Sequence, residues 1–371
     1  MRRGRDTLMR MADDTAPQPS GAGGGPSEFA RPARPGDLTP ALQLLLAGHT
    51  LSASQAATAF EAMMTGQSHH GEVGALLALL ATRTPTAEEI LGAARVMRKH
   101  VDRVCCSIAA DEIVDTAGTG GAPKTFNVST VAAIIAAAAG AKVAKHGNRS
   151  RTGRGSAEVL KKLGVNIDAD RTVQARCLEQ IGVCFCFAIH HHPATRHVMP
   201  VRQALGFPTI FNLLGPLTNP AGARRQLMGV FNWKFLQPIA EALRDLGAIR
   251  AMVIHSNDGL DEFSLSASTN VFHVRDGKVS EEVVSPRQLG LTMTSRDELV
   301  AQDLDDAARM IRDVLEGKAG PAREMALLNA AAAIYVADKA GSMQEGLEHA
   351  VRAIDSGAAR QTLQNLAKTS Q

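Results

Sequence analysis

Near Asp111 the hydrophobic periodicity of this 371-residue chain changes, and the change sets its fold class. From Leu38 to Val104 apolar residues recur at helical spacing. Leu42, Leu45 and Leu46 open the pattern; Ala56, Ala59, Phe60, Met63 and Met64 carry it to Gly66; Val73, Leu76, Leu77 and Leu80 follow. Thr86-Ala87-Glu88-Glu89 is a capping box, in which the Thr hydroxyl and the Glu carboxylate take up orphan backbone N–H groups, so another helix starts there. After Asp111, strand-like runs at 112–117, 141–145, 183–189, 251–255 and 271–274 alternate with helical runs at 129–139, 156–163, 235–246, 304–315 and 325–339. Strands separated by helices wind into a largely parallel sheet. The chain therefore predicts a small helical domain over 37–105 and a larger α/β domain over 106–371 with a central, mostly parallel sheet.

Residues 1–36 carry Arg2, Arg3 and Arg5 and then a Pro/Gly/Ser-rich tract that cannot bury much apolar surface; a disordered tail is expected there. No apolar h-region follows the arginines, so a secretory signal is not expected. The apolar run 131–139 is far short of the ~18 residues a membrane span needs. Five cysteines (Cys105, Cys106, Cys177, Cys184 and Cys186) without framework spacing predict reduced thiols in a cytoplasm. A net charge of +3 suits an enzyme with anionic substrates, and its even spread predicts no nucleic-acid partner. A single Trp and a single Tyr offer no stacking platform for bases.

The turn between the first strand and its helix reads Asp115-Thr116-Ala117-Gly118-Thr119-Gly120-Gly121-Ala122-Pro123-Lys124-Thr125. Glycines let backbone N–H groups approach an anion, and the helix that follows adds its positive dipole end, so a phosphate site is predicted. The P-loop and dinucleotide patterns both fail at Pro123, which supplies neither a positive φ nor an N–H. Thr125-Phe126-Asn127-Val128-Ser129-Thr130 then places small polar side chains at the helix mouth; helix capping accounts for one of them and not for the cluster. After the second strand comes Lys145-His146-Gly147-Asn148-Arg149-Ser150-Arg151-Thr152-Gly153-Arg154-Gly155-Ser156, a basic loop. Loops after parallel strands gather in one crevice, so the basic loop should face the Gly-rich turn, across a substrate carrying a monophosphate and a pyrophosphate.

Taken together, these segments resemble the anthranilate phosphoribosyltransferase family. Gly118-Thr119-Gly120-Gly121, the run from Thr125 to Thr130, the run from Lys145 to Ser150, His191-His192-Pro193-Ala194 and the segment 211–221 carry the resemblance in order. Asp258-Gly259-Leu260-Asp261-Glu262 is similar to the family's metal motif, and the segment 327–332 to its C-terminal helix. The resemblance implies a nucleoside phosphorylase/phosphoribosyltransferase class II-like fold, with the helical domain joined in space by about 190–222, the site between the domains, and a homodimer. It implies transfer of the phosphoribosyl group of phosphoribosyl pyrophosphate (PRPP) to anthranilate, in tryptophan biosynthesis, with two Mg²⁺ ions. It implies PRPP contacts at Gly118, Gly121, Thr125, Asn127, Ser129, Thr130, Lys145, His146, Gly147, Asn148, Arg149, Ser150 and Ser156. Anthranilate contacts are implied at Gly118, Asn148, His192, Arg202 and Pro216, and metal ligands at Ser129, Asp261 and Glu262. The chain departs from the family in having Ala122 where an Asp usually follows the glycines, and both loops look one residue short.

Other readings of the same residues differ. Cys184, Cys186, His190, His191, His192 and His197 match no usual zinc spacing, and the two cysteines lie in an apolar strand-like run, where Cys is a small hydrophobe. His192 is expected to line the acceptor's path, because Pro193 should end the strand and open a loop. Arg202 is either a surface ion pair or a planar clamp for the anthranilate carboxylate. Asp261 and Glu262 form a turn or hold Mg²⁺. The rival functions are a nucleoside phosphorylase of related fold and a non-catalytic, nucleic-acid-binding paralogue.

Overall fold

The computed structural model describes residues 34–150 and 153–371. The expected disordered tail lies, up to residue 33, outside the described residues, as do Arg151 and Thr152. Among the described residues four helices come first: α1 Thr39–Leu46, α2 Ala53–Met64, α3 His70–Ala81 and α4 Ala87–Lys99. Thr86 caps α4 as its sequence requires: its side chain accepts from the Glu89 N–H, and the Glu89 side chain accepts from the Thr86 N–H. Leu46, part of the apolar pattern, is 71% exposed at the end of α1, while Leu45 is buried.

The α/β layer begins with β1 Ile113–Asp115, α5 Val128–Ala138, β2 Lys142–Gly147, α6 Ser156–Lys162, α7 Arg171–Ile181 and β3 Val183–Phe187. A crosspiece of short helices follows: α8 Ala188–His191, α9 Met199–Leu205 and α10 Ile210–Leu214. Then come β4 Arg225–Gly229, α11 Leu236–Asp245, β5 Arg250–Ser256, β6 Thr269–Arg275 and β7 Lys278–Val284, and finally α12 Leu304–Leu315, α13 Pro321–Val336, α14 Met343–Asp355 and α15 Ala358–Thr369. The seven strands of the described residues form one sheet in the order β3-β2-β1-β4-β5-β6-β7. The first five are parallel; β6 and β7 are antiparallel. Asp276-Gly277 joins β6 to β7 with both residues at positive φ, the two-residue hairpin that an Asp-Gly pair favours.

Expected and observed strands differ after β3. The strand stops at Phe187, Ala188–His191 is a helical turn, and Pro193 opens a 3-10 turn to His197 rather than a loop at a strand end. The reason is the ladder. β3 is an edge strand whose only partner among the described residues is β2, and that pairing ends at Gly147↔Phe187. Beyond it the backbone must find its hydrogen bonds elsewhere, and proline is at home in the first position of a helical turn.

Two apolar clusters fill the interior. One lies around β1, β2, β3, α5 and the C-terminal helices; the other joins α1–α4 to α9, α10 and α11. β4 and β5 serve both, because strand side chains alternate: Leu227, Met252 and Ile254 face the first cluster, whereas Met228, Val230, Ala251 and Val253 face the second. Arg98 of α4 reinforces the join, donating to the carbonyls of Leu217 (2.7 Å) and Leu246 (3.2 Å).

Candidate active site

In the order β3-β2-β1-β4-β5 the chain winds one way from β1 and then returns to the other side of it at β4. The loops after β1 and β4 therefore part, and the crevice they leave is where open α/β sheets bind ligands. The Gly-rich turn follows β1. Thr119 ties it to the end of β4: its N–H donates to the Gly229 carbonyl at 2.9 Å and its Oγ1 accepts from the Phe231 N–H at 3.0 Å. A Cβ on Gly118 would come within 3.2 Å of both Asp261 Oδ2 and the Gly229 carbonyl, and Gly121 turns at φ +94 against the Phe231 ring. Close approach explains the first glycine and a left-handed backbone the second.

The helix mouth gathers polar groups from three segments. Thr125 Oγ1 donates to Glu262 Oε2 at 2.9 Å, and the Ser129 N–H, in the first turn of α5, donates to Glu262 Oε1 at 3.3 Å. Lys145 Nζ, buried at the end of β2, donates to Ser129 Oγ at 3.2 Å and to Thr116 Oγ1 at 3.3 Å. Asn127 precedes α5 in a left-handed conformation, and its Nδ2 caps the Arg154 carbonyl rather than the helix. The Thr130 hydroxyl is buried without a hydrogen-bond partner among the described residues.

This pocket is electrostatically loaded. Burial, and then repulsion from Asp261, push Glu262 up to about 7, against the pull of Thr125, Ser129 and Lys145. Burial also raises Asp261, although its carboxylate accepts from the Gly120 backbone and feels Lys124 and His255. Lys145 is lowered to about 8 by burial, with Asp115 and Glu262 opposing the shift. Two carboxylates that repel each other, beside the Ser129 and Thr125 hydroxyls, are an all-oxygen donor set that a hard divalent cation fits and relieves. Asp258 is not part of it: its Oδ2 is taken by Ser264 Oγ and Ser266 Oγ, which fold the loop that presents the pair.

The basic loop closes the other wall. Gly147 has no room for a side chain, since a Cβ there would collide with Ser156 Oγ and meet the Phe185 ring at 2.6 Å. Asn148 and Arg149 are exposed, and the Arg149 guanidinium lies over the Phe187 ring at 5.4 Å. Ser150 Oγ accepts from Lys124 Nζ at 2.7 Å and from the Arg154 N–H at 3.0 Å, so it clips this loop to the Gly-rich turn. Ser156 opens α6 and donates to the Asn148 carbonyl at 3.4 Å. The Arg154 guanidinium donates to the Ala301 carbonyl.

Deeper in, toward the crosspiece, the polar groups are neutral. His146 and His192 are buried with their Nε2 atoms 3.2 Å apart, and Thr218 Oγ1 lies 3.5 Å from His192 Nε2. Burial, and next the neighbouring imidazoles, lower His146 well below the usual range; burial, then His191, lowers His192 to about 4. His146 is also hydrogen-bonded to the Gly215 backbone, which opposes the shift. With both rings uncharged, one Nε2 of the pair donates and the other accepts. Pro216 is buried beside Gly215, with its carbonyl accepting from Gln226 Nε2 at 2.6 Å. Arg202, half-buried on α9, lays its guanidinium over the Phe211 ring at 5.0 Å.

Sequence reasoning passes over two residues that hold these walls. Asp115 is fully buried at the end of β1, and Asn219 Nδ2 donates to its Oδ2 at 2.8 Å. The signal for the first is a charged residue closing an apolar strand just before the glycines; for the second it is only its place in the segment 211–221, which does not point to a partner 104 residues away.

Comparison with known proteins follows the same division of the chain. Residues 39–101 match the helical bundle domain of the glycosyl transferase family, and residues 110–360 match its a/b domain. The anthranilate phosphoribosyltransferase of Thioalkalivibrio sulfidiphilus is 45% identical over 332 residues, covering 89% of this chain and 98% of its own. That of Rubrobacter xylanophilus is 48% identical over 336 residues, covering 90% and 97%. Among solved structures, anthranilate phosphoribosyltransferase from Thermus thermophilus superposes with a TM-score of 0.83 at 37% identity, over 89% of this chain and 99% of its own. The Saccharomyces cerevisiae enzyme in complex with PRPP and Mg does so with a TM-score of 0.81 at 26% identity, over 90% and 97%. With family domains matched in order and relatives matched almost end to end, this chain belongs to the anthranilate phosphoribosyltransferase family.

Proposed function

We propose that this chain transfers the phosphoribosyl group of PRPP to the amine of anthranilate, giving N-(5-phosphoribosyl)anthranilate and pyrophosphate, in tryptophan biosynthesis. The observation that carries this reading is the meeting of a Gly-rich turn, a helix N-terminus, Lys145 and the Asp261–Glu262 pair in one crevice, with a neutral, buried imidazole pair beside it. In the reaction the bond from the ribose anomeric carbon to pyrophosphate breaks, the amine nitrogen bonds to that carbon, and the amine gives up a proton. The amine is neutral at pH 7, so no covalent nucleophile is needed, and catalysis is positional and electrostatic.

Gly118, Gly121, Thr125, Asn127, Ser129, Thr130, Lys145, His146, Gly147, Asn148, Arg149, Ser150 and Ser156 are the PRPP contacts of this reading. Backbone N–H groups of the turn and the Lys145 ammonium supply donors to phosphate oxygens. Gly118, Asn148, His192, Arg202 and Pro216 hold anthranilate; a guanidinium matches its carboxylate, and His192, neutral at pH 7, orients the acceptor without charging the pocket. Ser129, Asp261 and Glu262 hold Mg²⁺, which when bound supplies positive charge to the departing pyrophosphate. The Saccharomyces cerevisiae relative is solved with PRPP and Mg, and also with 4-fluoroanthranilate, which supports both substrates and the metal.

Two Mg²⁺ ions, a homodimer and a cytoplasmic location complete the proposal, with neither nucleic acid nor membrane as a partner. Among the described residues no helix is long and apolar enough to cross a membrane. The helical domain of this reading spans 37–105 and is joined by about 190–222, which agrees with the packing of Val198, Val201, Ile210 and Phe211 into the α1–α4 core.

The test is to mix the purified chain with PRPP, Mg²⁺ and anthranilate and follow anthranilate fluorescence. Loss of fluorescence that needs all three components is expected. No loss, with phosphate-dependent release of a base from a nucleoside, would replace the reading with a phosphorylase; salt-dependent DNA binding without turnover would replace it with the paralogue.

A further inference from the structure

At the crevice, β1 and β2 stop pairing before β2 ends. Their ladder covers Ile113↔Lys142 and Val114↔Val143, while β2 continues beside β3 as far as Gly147↔Phe187. The stretch from Ala144 to His146 therefore loses its β1 partner just where the basic loop begins. Buried backbone groups there still need hydrogen bonds. Two side chains provide them. Asp115 Oδ1 accepts from the His146 N–H at 3.1 Å, and Asn219 Nδ2 donates to the Ala144 carbonyl at 2.8 Å. The same Asp115 Oδ1 accepts from the Ala117 N–H at 3.1 Å, one residue before Gly118, and Oδ2 accepts from Asn219 Nδ2 at 2.8 Å. Asn219 Oδ1 in turn takes the Ala221 N–H at 2.9 Å.

We propose that Asp115 is a positioning residue, whose buried carboxylate sets the spacing between the Gly-rich turn, the basic loop and the segment that carries Pro216. Its hydrogen bonds from the Ala117 N–H, the His146 N–H and Asn219 Nδ2 end on three different walls of the site, so the distance between donor and acceptor substrates is fixed through one carboxylate. A carboxylate is required rather than an amide. These partners, like the Thr116 backbone, are N–H donors, and an asparagine here would offer one oxygen and turn its NH₂ toward another NH₂. Burying a charge for this purpose is costly: burial, opposed first by Asn219, raises Asp115 to about 6. A serine or asparagine satisfying the backbone would cost less, and the carboxylate is explained by the need to hold three walls at once. Neither Asp115 nor Asn219 is a catalytic residue in this account, since each acts through the segments it fastens.

The inference rests on the phosphoribosyl-transfer reading, and the experiment separates the two. Wild type, Asp115→Asn, Asp115→Ala and Asn219→Ala are assayed with PRPP, anthranilate and Mg²⁺ by anthranilate fluorescence, with KM and kcat determined for each substrate. An inactive wild type would overturn the functional reading itself. With active wild type, Asp115→Ala is expected to raise both KM values by about tenfold or more. Asp115→Asn and Asn219→Ala, which break the arm to the Pro216 segment and keep both backbone N–H bonds on Oδ1, should raise the anthranilate KM by more than the PRPP KM. A purely structural role would lower the folded fraction and with it the maximal rate, and leave KM alone. If Asp115→Ala does not fold, the other two variants decide. KM values within about threefold of wild type for both substrates in every folded variant would overturn the proposal.

Discussion

At the mouth of α5, charged groups face one another: Lys145 lies against Ser129, and Asp261 and Glu262 are adjacent carboxylates, both raised by burial and Glu262 also by repulsion from Asp261. At the crosspiece the facing buried groups are two neutral imidazoles, hydrogen-bonded to each other. In the proposed function the contrast follows from what each end would handle. Pyrophosphate carries several charges, and a site for it stores opposing charge and backbone dipoles in advance. The amine of anthranilate reacts uncharged, so in the proposed function the polar atoms beside it need carry no charge, while its carboxylate is left to a guanidinium, Arg202. The two ends should therefore fail differently when their residues are changed.

The largest effect is expected at the charged end. Asp261→Asn with Glu262→Gln should remove at least about 99% of activity and abolish the dependence on Mg²⁺, since the double amide no longer attracts a cation. Initial rates across a Mg²⁺ titration check this; full activity of the double variant at low Mg²⁺ would break the assignment. Because the two carboxylates repel in the absence of metal, the same variant should unfold at a higher temperature than wild type when both are kept in chelator.

Next comes Arg202. The Arg202→Ala variant should raise the anthranilate KM about tenfold or more, as loss of a desolvated charge partner costs roughly 2–5 kcal/mol, while the PRPP KM changes by less than about twofold. Arg202→Lys should not restore it, because the planar fork that stacks on Phe211 is lost. Equal damage to both substrates would make Arg202 part of the scaffold.

The neutral end gives a pH signature. His192 is near 4 in the folded chain, against an ordinary value of 6.5, so folding favours the unprotonated ring. Its contribution is complete above pH 6.5 and is lost as pH falls toward 4. Whatever His192→Asn costs at pH 7.5, the gap to wild type should shrink by about 2–3 kcal/mol at pH 4.5 in urea unfolding. A gap that does not vary with pH would mean that the ring binds protons in the folded chain as it does in the unfolded one.

The same contrast decides what a sequence can disclose. The charged end is local: glycines, a helix start and small polar residues follow one another from Gly118 to Thr130, and their chemistry can be read in order. Its supports are not local. Asn219 reaches Asp115 from 104 residues away, and nothing in Leu217-Thr218-Asn219-Pro220 says which strand it meets. Strands are legible where β-branched and apolar residues cluster, as in β5; β4, Arg225-Gln226-Leu227-Met228-Gly229, has none that are β-branched and does not read as a strand. β7 also escapes the periodicity, although Asp276-Gly277 before it is a hairpin signal that stands in the sequence. Pro193 misleads because the end of β3 is set by its partner's length and not by its own residues.

Arg154 gives the smallest and most discriminating effect. Arg151 and Arg154 add two cations to the basic loop, and a guanidinium binds phosphate oxygens in a bidentate way, so each is a candidate to make up for the Asp that Ala122 replaces. Arg151 lies outside the described residues. Arg154 is half-buried and gives a guanidinium nitrogen to the Ala301 carbonyl, while its own carbonyl accepts from Asn127 Nδ2. Ala301 is also bound to the turn, its N–H donating to the Thr125 carbonyl at 3.4 Å. Arg154 is thus placed to brace the basic loop against the segment that backs Thr125. If bracing is its role, Arg154→Ala should raise the PRPP KM about threefold, roughly 0.6 kcal/mol, by the same factor at low and high ionic strength. If its remaining donors reach phosphate directly, the factor should be larger at low salt and shrink as ions screen the contact. Measuring the PRPP KM of Arg154→Ala and Arg151→Ala at two ionic strengths distinguishes the two roles. A factor below about twofold for both variants at both salts would leave Ala122 uncompensated by either arginine.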